Sequence, residues 1–165
     1  SMILANKTKR DLTDTTLYEE GKIYLQSLAS MAPPLVMDPQ AGETILDLTA
    51  APGSKTSQIA ALMQMKGTLV ANEKNKPRFF KLKHNMEHLG IAIDNADSDW
   101  NFILRLEDGR GLSREYPDHF DQILLDAPCS SEARFVAGKP KTFGYWKKRK
   151  IKEMAYMQRQ LLEAA

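Results

Sequence analysis

Cysteine is nearly absent from this chain: Cys129 is the single thiol in 165 residues, so no internal disulfide can form. The expected setting is a reducing compartment, with the cytoplasm as the default. Long apolar runs are absent as well. No stretch reaches the about 18 apolar residues expected of a membrane-crossing helix, and the opening Ser1-Met2-Ile3-Leu4-Ala5-Asn6-Lys7 lacks a signal peptide's apolar centre. Ser1 ahead of Met2 reads as the remnant of a cleaved tag. No repeat or low-complexity tract occurs, and the only linker-like piece runs up to about Glu20. Metal-ligand spacing is missing too. Cys129 has no Cys or His partner, and His84 and His88, four apart, lack a third ligand and read as a solvated helix face. The net charge of +2 is too small to argue for a polyanionic partner by its sum.

What is present suits one globular domain: 42% hydrophobic residues and a mean hydropathy of −0.43 supply a core without staples. Apolar runs alternate with helical patterns. Strands are expected at Thr44–Leu48, Thr68–Asn72, Phe102–Leu106 and Asp121–Leu125. Between them, Ile59, Leu62 and Met63 recur at helical spacing, with Gly67 expected to close that helix. Pro77 opens a second helix whose Phe79, Leu82, Met86 and Leu89 share a face, and Gly90 ends it. Another helix carries Ile151, Met154, Gln158, Leu161 and Leu162. Met63, Met65 and Met86 read as packing, whereas Trp100 with Asp94, Asp97 and Asp99 reads as a surface loop. Strands apolar throughout suit a parallel sheet covered on both faces, so the class is α/β, doubly wound and Rossmann-like. In such sheets ligands bind beyond the carboxyl ends of the strands.

The first strand runs into Thr49-Ala50-Ala51-Pro52-Gly53-Ser54-Lys55, where small side chains let backbone approach a ligand and a helix start offers N–H groups to an anion. A triphosphate-binding P-loop would need glycine at positions 49 and 54, which hold Thr49 and Ser54. Glu73 follows the second strand, 20 residues beyond Gly53, where a carboxylate accepts both ribose hydroxyls. Asp108 follows the third strand, placed for an adenine amino group, and Asp126 ends the fourth. One such acid is ordinarily a helix cap. Three beside a small-residue loop favour a nucleoside with a cationic or zwitterionic tail, a description that S-adenosylmethionine meets.

Asp126-Ala127-Pro128-Cys129-Ser130, taken with Asp47-to-Thr56, resembles the Nol1/Nop2/Sun family of RNA (cytosine-5)-methyltransferases, especially its bacterial 16S ribosomal RNA branch. The likeness runs from Gly21 to the end and takes in Gly21-Lys22-Ile23-Tyr24-Leu25-Gln26, Ala71-Asn72-Glu73 and Asp108-Gly109-Arg110. It implies an extension at 1–20 and a partial S-adenosylmethionine-binding domain at 21–165. It also implies a cofactor site of Thr49, Ala50, Ala51, Pro52, Gly53, Ser54, Lys55, Glu73, Asp108 and Asp126, supported by Arg78. The partner it implies is RNA, ribosomal before transfer RNA. In the chemistry implied, a thiolate adds to cytosine C6, C5 then attacks the sulfonium methyl group, and loss of the C5 proton expels the thiol to leave 5-methylcytosine. Cys129, Asp126 and Lys55 are the catalytic candidates.

Two departures bear on that reading. The family's attacking cysteine lies in a Thr-Cys motif after the fifth strand, and its Pro-Cys cysteine assists product release; this chain holds only Cys129 and stops at Ala165. The last strands are therefore expected to be missing, leaving the fourth strand's edge open to self-association. Cys129 has three readings: release group, nucleophile as in DNA cytosine methyltransferases, or buried thiol. Second, Ser131-Glu132-Ala133 stands where the family usually has glycines, stiffening the loop that receives a flipped base. Between Arg134 and Lys152 lie Arg134, Lys139, Lys141, Lys147, Lys148, Arg149, Lys150 and Lys152 without an acid, interleaved with Phe135, Phe143, Tyr145 and Trp146. That pattern offers charges for phosphates and faces for bases, although a solvated helix start explains the charges alone. Two functions stay open: a methyltransferase with an intact cofactor half, or a non-catalytic S-adenosylmethionine- or RNA-binding module.

Overall fold

The computed structural model describes residues 7–92 and 99–165. Ser1, Met2, Asp94 and Asp97 lie outside the described residues. Four parallel strands, β1 (Thr44–Asp47), β2 (Gly67–Asn72), β3 (Trp100–Arg105) and β4 (Gln122–Leu124), form one sheet in the order β3-β2-β1-β4. Register pairs Asp47 with Ala71 and Leu124, and Asn72 with Arg105, so the carboxyl ends of all four strands line one edge.

Both faces are covered, and the side chains alternate between them as the pleat requires. Ile45, Leu69, Ala71, Trp100, Phe102, Leu104 and Leu124 face one layer, packing on Ile59 and Ala60 of α4 (Ser54–Leu62), on Met63 at its C-cap, and on Leu82 and Met86 of α5 (Lys76–His88). Leu46, Leu48, Val70, Ile103, Ile123 and Leu125 face the other. There Leu112, from the short 3-10 helix Gly109–Arg114, and Leu161, from α6 (Arg149–Ala164), complete the layer. The all-apolar strands thus did encode a doubly covered parallel sheet.

Three local expectations need correction. α4 stops at Leu62; the chain then turns through Gln64 and Met65, both with left-handed backbone, and Gly67 opens β2 instead of closing the helix. A side chain at Gly67, whose φ is +97°, would place Cβ 2.4 Å from the Glu43 carbonyl oxygen of the segment that enters β1. Trp100 belongs to no surface loop. It is 6% exposed, opens β3, donates its indole N–H to the Ile91 carbonyl at 2.9 Å and stacks near Phe102. The stretch up to Glu20, linker-like in composition, contains two short helices, α1 (Lys9–Thr13) and α2 (Thr16–Glu19), each capped by a threonine hydroxyl.

One helix was not foreseen. α3 (Leu28–Met37) carries Pro33 and Pro34 in its interior, residues that mark a helix boundary by propensity. The Ser27 hydroxyl caps it, and Gln58 of α4 donates to the Met31 carbonyl at 3.0 Å, docking α3 against α4.

Candidate functional site

The turn between β1 and α4 is built by buried polar groups at the strand ends. Asp47, 1% exposed, accepts from the Thr56 hydroxyl at 2.7 Å and from the Thr49 backbone, folding the loop over the end of its own strand. The Ala50 N–H donates to the Asn72 carbonyl at 2.8 Å, and the Ala51–Pro52 peptide is cis. Gly53, with φ +105°, is the α4 N-cap and supplies no side-chain cap, so the first-turn N–H groups remain for a ligand. A Cβ there would sit 2.6 Å from Met86 Cε and 3.0 Å from Leu82 Cδ1, so only glycine lets the loop rest on α5.

Two side chains of α5 hold that loop from outside. Arg78 donates to the Ala51 carbonyl, and Asn85 donates to the Pro52 carbonyl at 2.7 Å. Arg78 also lies 3.1 Å from Oε2 of Glu73, joining the turn to the acid after β2. Glu73 is 4% exposed; its Oε1 accepts from the Asn75 N–H at 2.8 Å, whereas Oε2 accepts no hydrogen bond. A buried carboxylate oxygen with that capacity fits a ribose hydroxyl.

Asp108 presents a different picture. Arg110 donates to it from its backbone, Nε and Nη2, and Lys74 Nζ reaches Oδ2 at 2.6 Å. The Arg110 guanidinium, ahead of Lys74, holds this carboxyl well below the usual carboxylate range. Its four lone-pair directions are all taken, so an adenine amino group would have to displace one cation.

Asp126, 59% exposed at its side chain, pairs with Lys55 Nζ at 2.7 Å, and its carbonyl accepts from the Thr49 hydroxyl at 2.8 Å. Lys55 also reaches the Ser30 hydroxyl of α3 at 3.4 Å. The structure thus gathers 49–55, Glu73, Arg78 and Asp126 by direct contacts, with Asp108 joined through the strand ends. Cys129 is exposed, which removes the buried-thiol reading, and its Sγ lies 4.0 Å from the Ser131 hydroxyl. Gln158 of α6 donates to the Pro128 carbonyl at 2.9 Å, tethering the cysteine loop. Ser131 adopts φ +68°, a left-handed position that glycine occupies without strain.

In the cationic segment, Phe135 packs at 5.9 Å from Phe143 and edge-on to Trp146 at 5.7 Å. Three of the four aromatics therefore pack on one another, which corrects the expectation of separate stacking faces, although Phe143 stays 38% exposed and Tyr145 64% exposed. His84 and His88 are exposed, and no cluster of metal-ligating residues occurs among the described residues. No helix there is long and apolar enough to cross a membrane. Sequence reasoning quoted Asp47, Thr56 and Asn72 only inside motifs and gave none a role of its own, although all are buried; for Asp47 and Asn72 the available signal was a polar residue ending an apolar strand.

A parallel sheet with its first strand central and a small-residue turn at the topological switch point defines a Rossmann-like α/β domain of methyltransferase type. A family model described as 16S rRNA methyltransferase RsmB/F matches residues 34–165, and the chain belongs to that family. Ribosomal RNA small subunit methyltransferase F of Pectobacterium carotovorum subsp. carotovorum is 37% identical, over 99% of this chain and 32% of the relative. Among solved structures, NSun6 from Pyrococcus horikoshii with SFG superposes with a TM-score of 0.73 at 35% identity, covering 93% of this chain and 36% of that one. A methyltransferase homolog protein from the same organism gives 0.71 at 33% identity, covering 93% and 44%. The chain spans about a third of the length of the curated relatives it matches.

Burial pushes the Asp47 carboxyl up to about 6, with the Thr56 hydrogen bond acting in the opposite direction. A carboxyl raised in the folded state stabilises fully below its unfolded value of 3.8 and loses that contribution as pH rises to about 6. Urea midpoints of the parent are expected to fall relative to Asp47→Asn between pH 4 and 6 and to run parallel above about 7. Parallel curves over the whole range would show that Asp47 ionises normally.

Proposed function

We propose that this chain forms the cofactor-binding part of an S-adenosylmethionine-dependent RNA (cytosine-5)-methyltransferase acting on ribosomal RNA, with residues 1–20 as an extension and 21–165 as the domain. The observation that carries the reading is Glu73, buried beside the 49–55 turn, whose Oε2 accepts no hydrogen bond although it is ion-paired with Arg78 at 3.1 Å. A hydroxyl pair from a ribose satisfies that oxygen, and the unphosphorylated 2′ position avoids placing a second anion against it. A relative solved with SFG, an S-adenosylmethionine analogue, supports the same ligand class. The relatives' names support ribosomal RNA as the substrate, and the cytoplasm is the compartment where such a substrate resides.

Within this reading the cofactor supplies an electrophilic methyl group on a sulfonium sulfur. The chain's own residues do the rest. Thr49, Ala50, Ala51, Pro52, Gly53 and Ser54 provide a close backbone wall, and Arg78 braces it. Lys55 and Asp126, paired at 2.7 Å, hold the edge of the target base, the ammonium directing the carboxylate. Cys129 is exposed on the loop that follows Asp126, where its thiolate can add to cytosine C6 or assist release of the methylated product. Exposed lysines of the 139–152 segment, with Tyr145, meet the phosphate backbone.

Calorimetric titration with S-adenosylhomocysteine is expected to give micromolar binding to the parent, weakened at least about tenfold by Glu73→Ala, the loss of a charge-assisted hydrogen bond. Equal affinities would remove the ribose assignment. Transfer of labelled methyl groups to unmodified 16S ribosomal RNA is expected, and Cys129→Ala, which removes the single thiol of the chain, is expected to abolish turnover. Cofactor binding with no transfer at all would instead establish a non-catalytic module. Among the described residues β4 hydrogen-bonds only to β1, and it borders a cavity of about 420 Å³ lined by Leu112, Tyr116, Phe120 and Ile123, favouring pairing with a second copy. Sedimentation is expected to show a dimer or larger species at micromolar concentration; a strict monomer refutes this.

A further inference from the structure

Asn72, 1% exposed at the end of β2, reaches both neighbouring strands with one side chain. Its Nδ2 donates to the Leu48 carbonyl at 3.1 Å and to the Glu107 carbonyl at 3.2 Å, while its Oδ1 accepts from the Glu107 N–H at 3.1 Å. Each anchored segment precedes a wall of the site: Leu48 precedes Thr49, Glu107 precedes Asp108, and Asn72 itself precedes Glu73. The sheet order places β2 between β3 and β1, the one position from which a short side chain meets both.

We propose that Asn72 is the positioning residue of the nucleoside site: its carboxamide sets the separation of the 49–55 turn, Glu73 and Asp108, and thereby the affinity for the cofactor. The residue type follows from the partners. Two carbonyls need two hydrogens and one N–H needs an acceptor, which a carboxamide supplies from a single planar group. A carboxylate of identical shape has no hydrogen to offer and faces two carbonyl oxygens; a hydroxyl has one hydrogen for two carbonyls. Beyond the last ladder bonds, the strands have no other tie of this kind among the described residues. Glu73 N–H bonds to the Arg105 carbonyl and Ala50 N–H to the Asn72 carbonyl, but both are backbone bonds between adjacent strands, and neither spans all three.

The proposal rests on the nucleoside reading of the 49–55 turn, and the test separates the two. S-adenosylhomocysteine affinity is measured for the parent and Asn72→Asp from pH 8 to 5.5, with circular dichroism confirming the fold. At pH 8 the variant is expected to bind at least about tenfold more weakly. Protonation of the substituted carboxyl restores one donor, so the gap to the parent is expected to narrow as pH falls. The surrounding acids Asp47, Glu73, Glu107 and Asp108 are common to both proteins, so the ratio of affinities reports on position 72. Equal affinity at pH 8, or a deficit that does not change with pH, overturns the positioning role. A parent that fails to bind S-adenosylhomocysteine overturns the cofactor reading instead. If Asn72→Asp does not fold, side-chain amide exchange in the unmodified protein decides. Protection of the Asn72 Nδ2 protons is expected to increase when S-adenosylhomocysteine binds, and unchanged protection counts against the proposal.

Discussion

Where parallel strands end, their last carbonyls and N–H groups face inward with no ladder to join, and burying them unpaired costs about 1–3 kcal/mol each. The carboxyl edge of this sheet depends on resolving that problem. Asn72 satisfies Leu48 and Glu107, Asp47 receives Thr56 and the Thr49 backbone, and the Thr49 hydroxyl caps the Asp126 carbonyl. These bonds bring the chain out of β1, β2, β3 and β4 in fixed directions. Every residue of the candidate site hangs from one of those exits.

The acids at that edge show how strongly local surroundings divide residues of one chemical type. Asp47 is enclosed and pushed toward neutrality, whereas Asp108 is wrapped by Arg110 and Lys74 and held firmly ionised. Glu73 is buried and ion-paired with Arg78. α6 reaches two of these regions. With Leu161 seated in the second layer, Gln158 holds the Pro128 carbonyl beside Cys129 and Gln160 accepts from Arg110. The cysteine loop and the Asp108 cluster are thus fastened to one rigid helix, although they follow different strands.

Much of the architecture was legible because its signals are local. Runs such as Ile45-Leu46 and Leu69-Val70-Ala71 leave no polar face, and a strand without one must be covered on both sides. The site loop was legible because Thr49 and Ser54 rule out a P-loop while Pro52 and Gly53 demand a turn. Errors arose where tertiary contacts outweigh propensity. Pro33 and Pro34 hid α3, which survives because its capped first turn packs on α4. Asp99 beside Trp100 suggested solvent, but the indole found a carbonyl partner inside the first layer. Phe135, Phe143 and Trp146 were spaced like stacking platforms and satisfy one another instead.

By itself, the order of residues determined the strand-and-helix alternation, the small-residue turn and the acids that follow the strands. These depend on periodicity, backbone freedom and residue type within a few positions of each other. Only the folded chain decided which acids remain available: Asp108 is saturated by cations from two segments, and Glu73 keeps an oxygen. Tertiary structure alone also gave Asn72 its three partners, because hydrogen bonds spanning 24 and 35 residues arise from strand order, which no local pattern encodes.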